Sequence, residues 1–368
     1  MTSQRIVVKL GTSTLTGGTD RLHRQRMLEI VQQIAHLHQC GQEMVVVTSG
    51  AMAAGRERLG FPKLGGRSVP AKQMLSAVGQ VRLMHLYSEL FDLFDIPVGQ
   101  VLLTRDDLAD RPRYLNARDT LLTLIERRII PVINENDTTA THEIRVGDND
   151  NLSALVANLL EADLLVILTD QPGLFTADPR RDQAARLISQ ITRIDDETWA
   201  LAGGAGSAVG TGGMVTKLQA AQLAARSGVT TIIASGKEPD VLARIVKGEP
   251  LGTRFQPVAT HIESRKRWLL ADKPRGALRV DAGAARKLLN GGASLLPVGI
   301  TASEGDFERG ETLAVFAPDG REIAHGITSY NSADVARLCG VKSSRIVEIL
   351  GYTYGDAVIH RNNMVVLV

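Results

Sequence analysis

Six short apolar runs, most of them stopping at a glycine or a polar cluster, alternate with stretches of helical periodicity, and this alternation leaves few folds open. Ile6-Val7-Val8-Lys9-Leu10 halts at Gly11, and residues 44–48 run into Ser49-Gly50. Residues 98–103, 129–133, 164–168 and 230–234 repeat the pattern. Between them, Met27, Ile30, Val31 and Ile34 recur at helical spacing until Gly41 closes the stretch, and residues 73–94 read as a long helix. Pro112 opens a further helix that runs to Arg127, and residues 220–226 continue another. A continuous apolar run such as 164–168 suits a strand covered on both faces. Strands alternating with helices imply α/β architecture: a mostly parallel open sheet with helices on both faces.

At 368 residues the chain is too long for one ordinary core. The alternation breaks near residue 257, where Pro, His, Glu, Lys and Arg follow without periodicity. Residues 1–257 are therefore expected to form the α/β domain and 258–275 a linker. Beyond it, short runs at 276–280, 312–316 and 364–368 lie between turn signals such as Asn290-Gly291-Gly292 and Pro318-Asp319-Gly320, which reads as a small, mainly β domain over 276–368. Abundant glycine (35 residues) with only 4% aromatics favours tight strand-to-helix turns over a β-sandwich. A formal charge of +2 gives no pull towards DNA or a membrane surface. Two distant cysteines, Cys40 and Cys339, argue against a disulfide framework or thiolate metal site. Without a leader segment or an apolar run of membrane-spanning length, a cytoplasmic enzyme is expected.

In open α/β sheets ligands gather at the carboxyl ends of strands. Four such ends carry polar or glycine-rich sequence: Lys9-Leu10-Gly11-Thr12-Ser13, Thr48-Ser49-Gly50-Ala51, Asn134-Glu135-Asn136-Asp137 and Thr169-Asp170. Glycine turns that lead into helices present backbone N–H groups to an anion. One such turn is more often a plain tight turn; two with a strand-end lysine favour phosphate. The classical P-loop is absent, since Gly50 and Gly55 have its first spacing but Arg56-Glu57 follow. No G-x-G-x-x-G follows the first strand, so dinucleotide redox chemistry has little support. Gly210–Lys217 is another glycine-rich turn with a lysine entering a helix. The densest polar segment, Gly147-Asp148-Asn149-Asp150-Asn151, follows a strand-like 143–146 and is expected to open a helix at Leu152. Capping accounts for one such residue and not for four in a row. His36 and His38, two apart on a helix, cannot share a metal.

These motifs, with Leu168-Thr169-Asp170, Gly173–Pro179 and Gly147–Ala154, resemble in order those of the amino acid kinase superfamily, and within it the glutamate 5-kinases. The C-terminal part is similar to the PUA domain that many bacterial members carry. The resemblance implies ATP-dependent phosphorylation of the γ-carboxylate of L-glutamate, the first step of proline biosynthesis, with Mg²⁺ on the ATP phosphates. It places Lys9 towards the transferring phosphoryl group and Lys217 on the ATP side. Asp150 holds the two lysines rather than acting as a base, and Gly11 and Gly50 supply N–H donors. L-Glutamate falls to Ser49, Asp137 and Asn149, with Asp137 suited to the α-ammonium and Asn149 able to donate to a carboxylate. The nucleotide falls to Lys9, Thr169 and Asp170 with Thr211, Gly212, Gly213, Met214, Val215, Thr216 and Lys217.

The resemblance also implies a homo-oligomer, tetramer or dimer, and inhibition by L-proline competing in the kinase domain, with residues 61–71 as a closing loop. Two other classes stand beside this one. One is a kinase of the same fold with another acceptor. The other is an RNA-binding protein, disfavoured because residues 275–368 hold ten Lys/Arg and ten Asp/Glu.

Overall fold

The computed structural model describes residues 3–367 apart from 62–67, 141–147, 180, 204–212, 259, 261–262, 264–268 and 270–271, and apart from the side chain of Asp148. Contacts divide the chain into two compact units, Met1–His261 and Ile262–Val368.

The first unit begins with β1 (Arg5–Leu10), α1 (Thr12–Thr16), α2 (Arg24–Gln39), β2 (Glu43–Thr48), α3 (Ala51–Arg58) and α4 (Val69–Asp92). It continues through β3 (Val98–Leu103), α5 (Arg105–Ala109), α6 (Arg111–Glu126), β4 (Ile130–Glu135), α7 (Asp148–Leu159) and β5 (Leu164–Thr169). It ends with β6 (Gln190–Ile191), α8 (Asp196–Leu201), α9 (Met214–Arg226), β7 (Thr230–Ser235), α10 (Val241–Val246) and β8 (Thr253–Phe255). The eight strands form one sheet in the order β3-β4-β2-β1-β5-β7-β8-β6, and only the β7–β8 pairing is antiparallel. This is the mostly parallel open sheet that the alternating pattern implies.

Period-two alternation then distributes side chains between two cores. From β1, Ile6, Val8 and Leu10 pack on one face with residues of α2, α3, α4 and α10. Val7 packs on the other face with α6, α7 and α9. Lys9 falls on the Val7 side, so the strand period alone points its side chain at α7 and α9. A lysine 4% exposed among such residues would cost several kcal/mol if unpaired, which demands a partner there.

Two expectations change. The helix expected from Leu152 starts at Asp148, so the clustered Asp and Asn residues form its first turn, where the positive end of the dipole favours acidic side chains. The strand-like 143–146 and Gly147 lie outside the described residues. The expected closing loop, 61–71, gives its end to α4: Ser68 Oγ accepts from the Ala71 N–H at 3.3 Å and Pro70 sits in the first turn, a strong helix start. Residues 62–67 of that loop are outside the described residues, as is most of the expected linker.

The second unit holds β9 (Gly276–Val280), β10 (Ile300–Glu304), β11 (Thr312–Phe316), β12 (Glu322–Ile327) and β13 (Met364–Val366). Their sheet order is β10-β9-β11-β12-β13, with β9 and β11 parallel and the other neighbours antiparallel. Leu278, Leu313, Val315, Tyr330 and Val358 are fully buried in its core. Among the described residues, α-helices at Ala282–Leu289, Ser332–Leu338 and Ile346–Leu350 accompany the sheet, beyond the mainly β reading.

Candidate active site

Because β4, β2, β1 and β5 are consecutive in the sheet, their polar carboxyl ends lie side by side. Leu10 is in register with Thr48 of β2 and Leu168 of β5, so Gly11, Ser49-Gly50 and Thr169-Asp170 emerge together. Gly50 has φ +98°, a conformation costly for any residue with a Cβ, and a Cβ there would stand 3.2 Å from Leu15 Cδ1. It caps α3 and turns the chain within one residue. Gly11 caps α1, and a Cβ on it would lie 3.5 Å from Lys9 Nζ.

Beneath these turns lies a buried charge cluster. Lys9 Nζ is 2.6 Å from Asp150 Oδ1, and Lys217 Nζ is 3.3 Å from Asp150 Oδ2. Asp150 is fully buried and the two lysines are 4% and 6% exposed. Thr216 Oγ lies 2.7 Å from Asp150 Oδ2 and 2.9 Å from the Gly213 carbonyl, either of which accepts its proton. Burial alone would raise the Asp150 carboxyl, but the charges of Lys9 and Lys217 and the hydrogen bonds from Lys9 and Thr216 outweigh it and hold the group below the usual carboxylate range. Burial lowers the Lys9 ammonium from its ordinary value, with Asp150 opposing and Lys217 adding to the fall. One carboxylate shared by two ammonium groups leaves this triad, taken alone, at a charge of one positive. Such a cluster favours the approach of an anion.

A second, neutral cluster lies at the ends of β2 and β4. Asn149 Nδ2 donates to Ser49 Oγ at 3.1 Å and to Asn134 Oδ1 at 3.2 Å. Asn134, 1% exposed, donates from Nδ2 to Gln80 Oε1 on α4 at 2.7 Å and accepts from the Glu135 N–H at 2.9 Å. Asp137 follows in the turn after β4. At the end of β5, Thr169 Oγ1 donates to Asp170 Oδ1 at 3.0 Å.

The structure thus brings Lys9, Asp150, Lys217 and Thr216 together, and separately joins Ser49 to Asn149. Gly213, Met214 and Val215 lead into α9, whereas Thr211 and Gly212 lie outside the described residues. Sequence reasoning missed Gln80 and gave Asn134 no role. Asn134 carried a signal as the first residue of the polar strand end; Gln80, inside a long helix, carried none. Both N–H donors of Asn149 are engaged within the protein, by Ser49 and Asn134.

The profile of the amino acid kinase family matches residues 4–235, and that of the PUA domain matches residues 276–350. The chain is 58% identical to a glutamate 5-kinase of Herpetosiphon aurantiacus, over 98% of this chain and 98% of that one. It is 54% identical to a glutamate 5-kinase of Deinococcus radiodurans, covering 99% of this chain and all of the other. The chain belongs to the glutamate 5-kinases of the amino acid kinase family. Among solved structures, a carbamate kinase of Giardia lamblia bound to AMP-PNP shares the fold, with a TM-score of 0.51 and 18% identity over 69% of this chain and 99% of that one.

Proposed function

We propose that this chain transfers the γ-phosphoryl group of ATP to the side-chain carboxylate of L-glutamate, giving L-glutamyl 5-phosphate and ADP. The observation that carries this reading is the 58% identity with a glutamate 5-kinase across nearly the whole of both chains. The geometry supplies a mechanism. A glutamate side chain, with a reference pKa near about 4.3, is already ionised at neutral pH and needs no general base. One carboxylate oxygen bonds to the γ-phosphorus as the bond from that phosphorus to the bridging oxygen breaks and ADP leaves. The obstacle is repulsion between two anions, so catalysis rests on positioning and on cationic charge.

Lys9 faces the transferring group in this reading, Lys217 the ATP side, and Asp150 sets the spacing of both ammonium groups. Gly11 and Gly50 offer backbone N–H donors to phosphoryl oxygens. Thr169, Asp170 and the start of α9 line the nucleotide, and Ser49, Asp137 and Asn149 hold glutamate. The oxygen donors at Thr169 and Asp170 are of the kind that suits Mg²⁺, a hard cation that takes most of its coordination from phosphate oxygens and water. Bound there, it would neutralise phosphate charge.

Proline biosynthesis from glutamate starts with this reaction. Free L-proline, sharing the α-carboxylate and a protonated amine with glutamate but lacking the second carboxylate, then competes at the same site. The setting we assign is a cytoplasmic homo-oligomer, dimer or tetramer. Among the described residues no helix is long and apolar enough to cross a membrane. We also assign residues 1–257 to the kinase domain and 276–368 to the PUA domain, joined by 258–275. The test is ADP release measured with L-glutamate, L-aspartate, N-acetyl-L-glutamate, carbamate and UMP as acceptors. Release that depends on L-glutamate is expected, and dependence on another acceptor instead would refute the reading.

A further inference from the structure

A single backbone amide sets the polarity of the neutral cluster. The N–H of Glu135 lies 2.9 Å from Asn134 Oδ1. A backbone N–H only donates, so the side-chain atom facing it is the oxygen and the amide nitrogen of Asn134 must point the other way. That nitrogen meets Gln80 Oε1 at 2.7 Å. On the far side, Asn134 Oδ1 accepts from Asn149 Nδ2 at 3.2 Å, and turning the Asn149 amide over would set two oxygens against each other. The same nitrogen donates to Ser49 Oγ, so both Asn149 N–H groups are engaged.

Two ends of this relay remain, and their chemistry is fixed. Asn149 Oδ1 is an acceptor and Gln80 Nε2 a donor, and each is buried without a hydrogen-bond partner among the described residues. Ser76, four residues before Gln80 and so on the same face of α4, has a buried hydroxyl that also lacks one. Gln73, on this face too, donates to the Thr138 carbonyl at 3.5 Å. The face of α4 that turns to the end of β4 is therefore a polar stripe, on a helix whose next turns, at Leu83, Tyr87 and Leu90, enter the apolar core. Buried polar atoms left unpaired are few in folded proteins, and two at the ends of one network, with the Ser76 hydroxyl beside it, call for an explanation that a ligand supplies.

We propose that Gln80 is a positioning residue of the acceptor site: through Asn134 it holds the Asn149 amide with its carbonyl oxygen towards the substrate. Asn149 then accepts a hydrogen bond from the α-ammonium of the amino acid and does not donate to a carboxylate. An ammonium has three donors, so it can engage this oxygen and the Asp137 carboxylate together. The inference rests on the glutamate reading above and deepens it.

The test uses the full chain, with Gln80→Met, which keeps length and loses the acceptor, and Gln80→Glu, which keeps an acceptor for Asn134. Steady-state kinetics give KM for glutamate and ATP, and inhibition against glutamate gives the constant for glutarate, which retains both carboxylates but has no ammonium. Losing one hydrogen bond of this kind, Gln80→Met should raise the glutamate KM about 5- to 10-fold. It should leave kcat, the ATP KM and the glutarate constant within about twofold of wild type, and Gln80→Glu should restore the glutamate KM to about that margin. A Gln80→Met enzyme with wild-type glutamate KM would overturn the proposal. So would equal losses for glutamate and glutarate, or a Gln80→Glu enzyme as impaired as Gln80→Met. A wild-type chain that neither bound nor phosphorylated glutamate would instead overturn the acceptor reading, and this inference with it.

Discussion

At the residue scale, the account turns on one buried carboxylate between two lysines. Lys9→Ala leaves Asp150 its contact with Lys217, so the fold should survive while phosphoryl stabilisation is lost. Removing one preorganised donor of developing charge costs about 100- to 1,000-fold in kcat, and Lys9→Ala and Lys217→Ala should each fall in that range. Asp150→Ala differs, because it leaves two buried ammonium groups without their shared carboxylate. It should destabilise by about 3–5 kcal/mol as well as abolish activity, visible as a lowered thermal midpoint that the lysine variants do not share. The pH profile follows from the same cluster. Burial lowers Lys9 in the free enzyme from its ordinary 10.5, and its charged form is the useful one, so kcat/KM should fall on the alkaline side with a midpoint below 10.5. Asp150, held below the ordinary carboxylate range, contributes stability that is fully present above its unfolded pKa and is lost as pH falls through its folded value. A kcat/KM that stays level beyond pH 10.5 would contradict the role given to Lys9. Of these residues, Lys9 was the most legible in the sequence, as the one charge in an apolar run. Its meeting with Asp150, 141 positions away, was reachable only through the family motifs, since no local pattern encodes it.

At the element scale, α3 and α4 cross with their backbones in contact. A Cβ on Gly79 would come within 1.7 Å of the Ala51 carbonyl oxygen, and one on Gly55 within 1.9 Å of the Leu75 carbonyl oxygen. Neither glycine has positive φ, so what they supply is closeness rather than conformational freedom. The crossing ties the turn at Ser49-Gly50-Ala51 to Gln80, the neighbour of Gly79. Gly79→Ala should force the helices apart, costing about 1–3 kcal/mol in overpacking and raising the glutamate KM more than the ATP KM. An equal rise in both would separate this crossing from the acceptor site. Strands buried on both faces, such as β1 and β5, were readable as mainly apolar runs, with Lys9 the one buried charge in β1. The short β6 and β8 were not, since two- and three-residue strands carry no period. α3 was hidden by its glycine and its charges, and Ala282–Leu289 by the β-rich stretch around it, although Asp281, whose side chain accepts from the Ala284 N–H, marks its start.

At the scale of the whole molecule, catalysis is assigned to the first unit alone. All the residues given roles, from Lys9 to Lys217, fall within Met1–His261. A chain ending near Pro257, if folded, should keep glutamate-dependent ADP release and competitive inhibition by L-proline. Inhibition confined to the full chain would place proline's control in the second unit. The loss of periodicity near residue 257 sets the boundary expected from the sequence, and contacts divide the chain after His261. The sequence did not reveal the α-helices that, among the described residues, accompany the second sheet. The central claim is the identity of the atom that receives the phosphoryl group. An acyl phosphate made in the presence of hydroxylamine is trapped as a hydroxamate, and mass spectrometry locates the modified carboxyl. With ATP, Mg²⁺ and L-glutamate, the γ-hydroxamate should form in step with ADP and should be lost in Lys9→Ala. ADP release without any hydroxamate, or a hydroxamate at the α-carboxyl, would contradict the account.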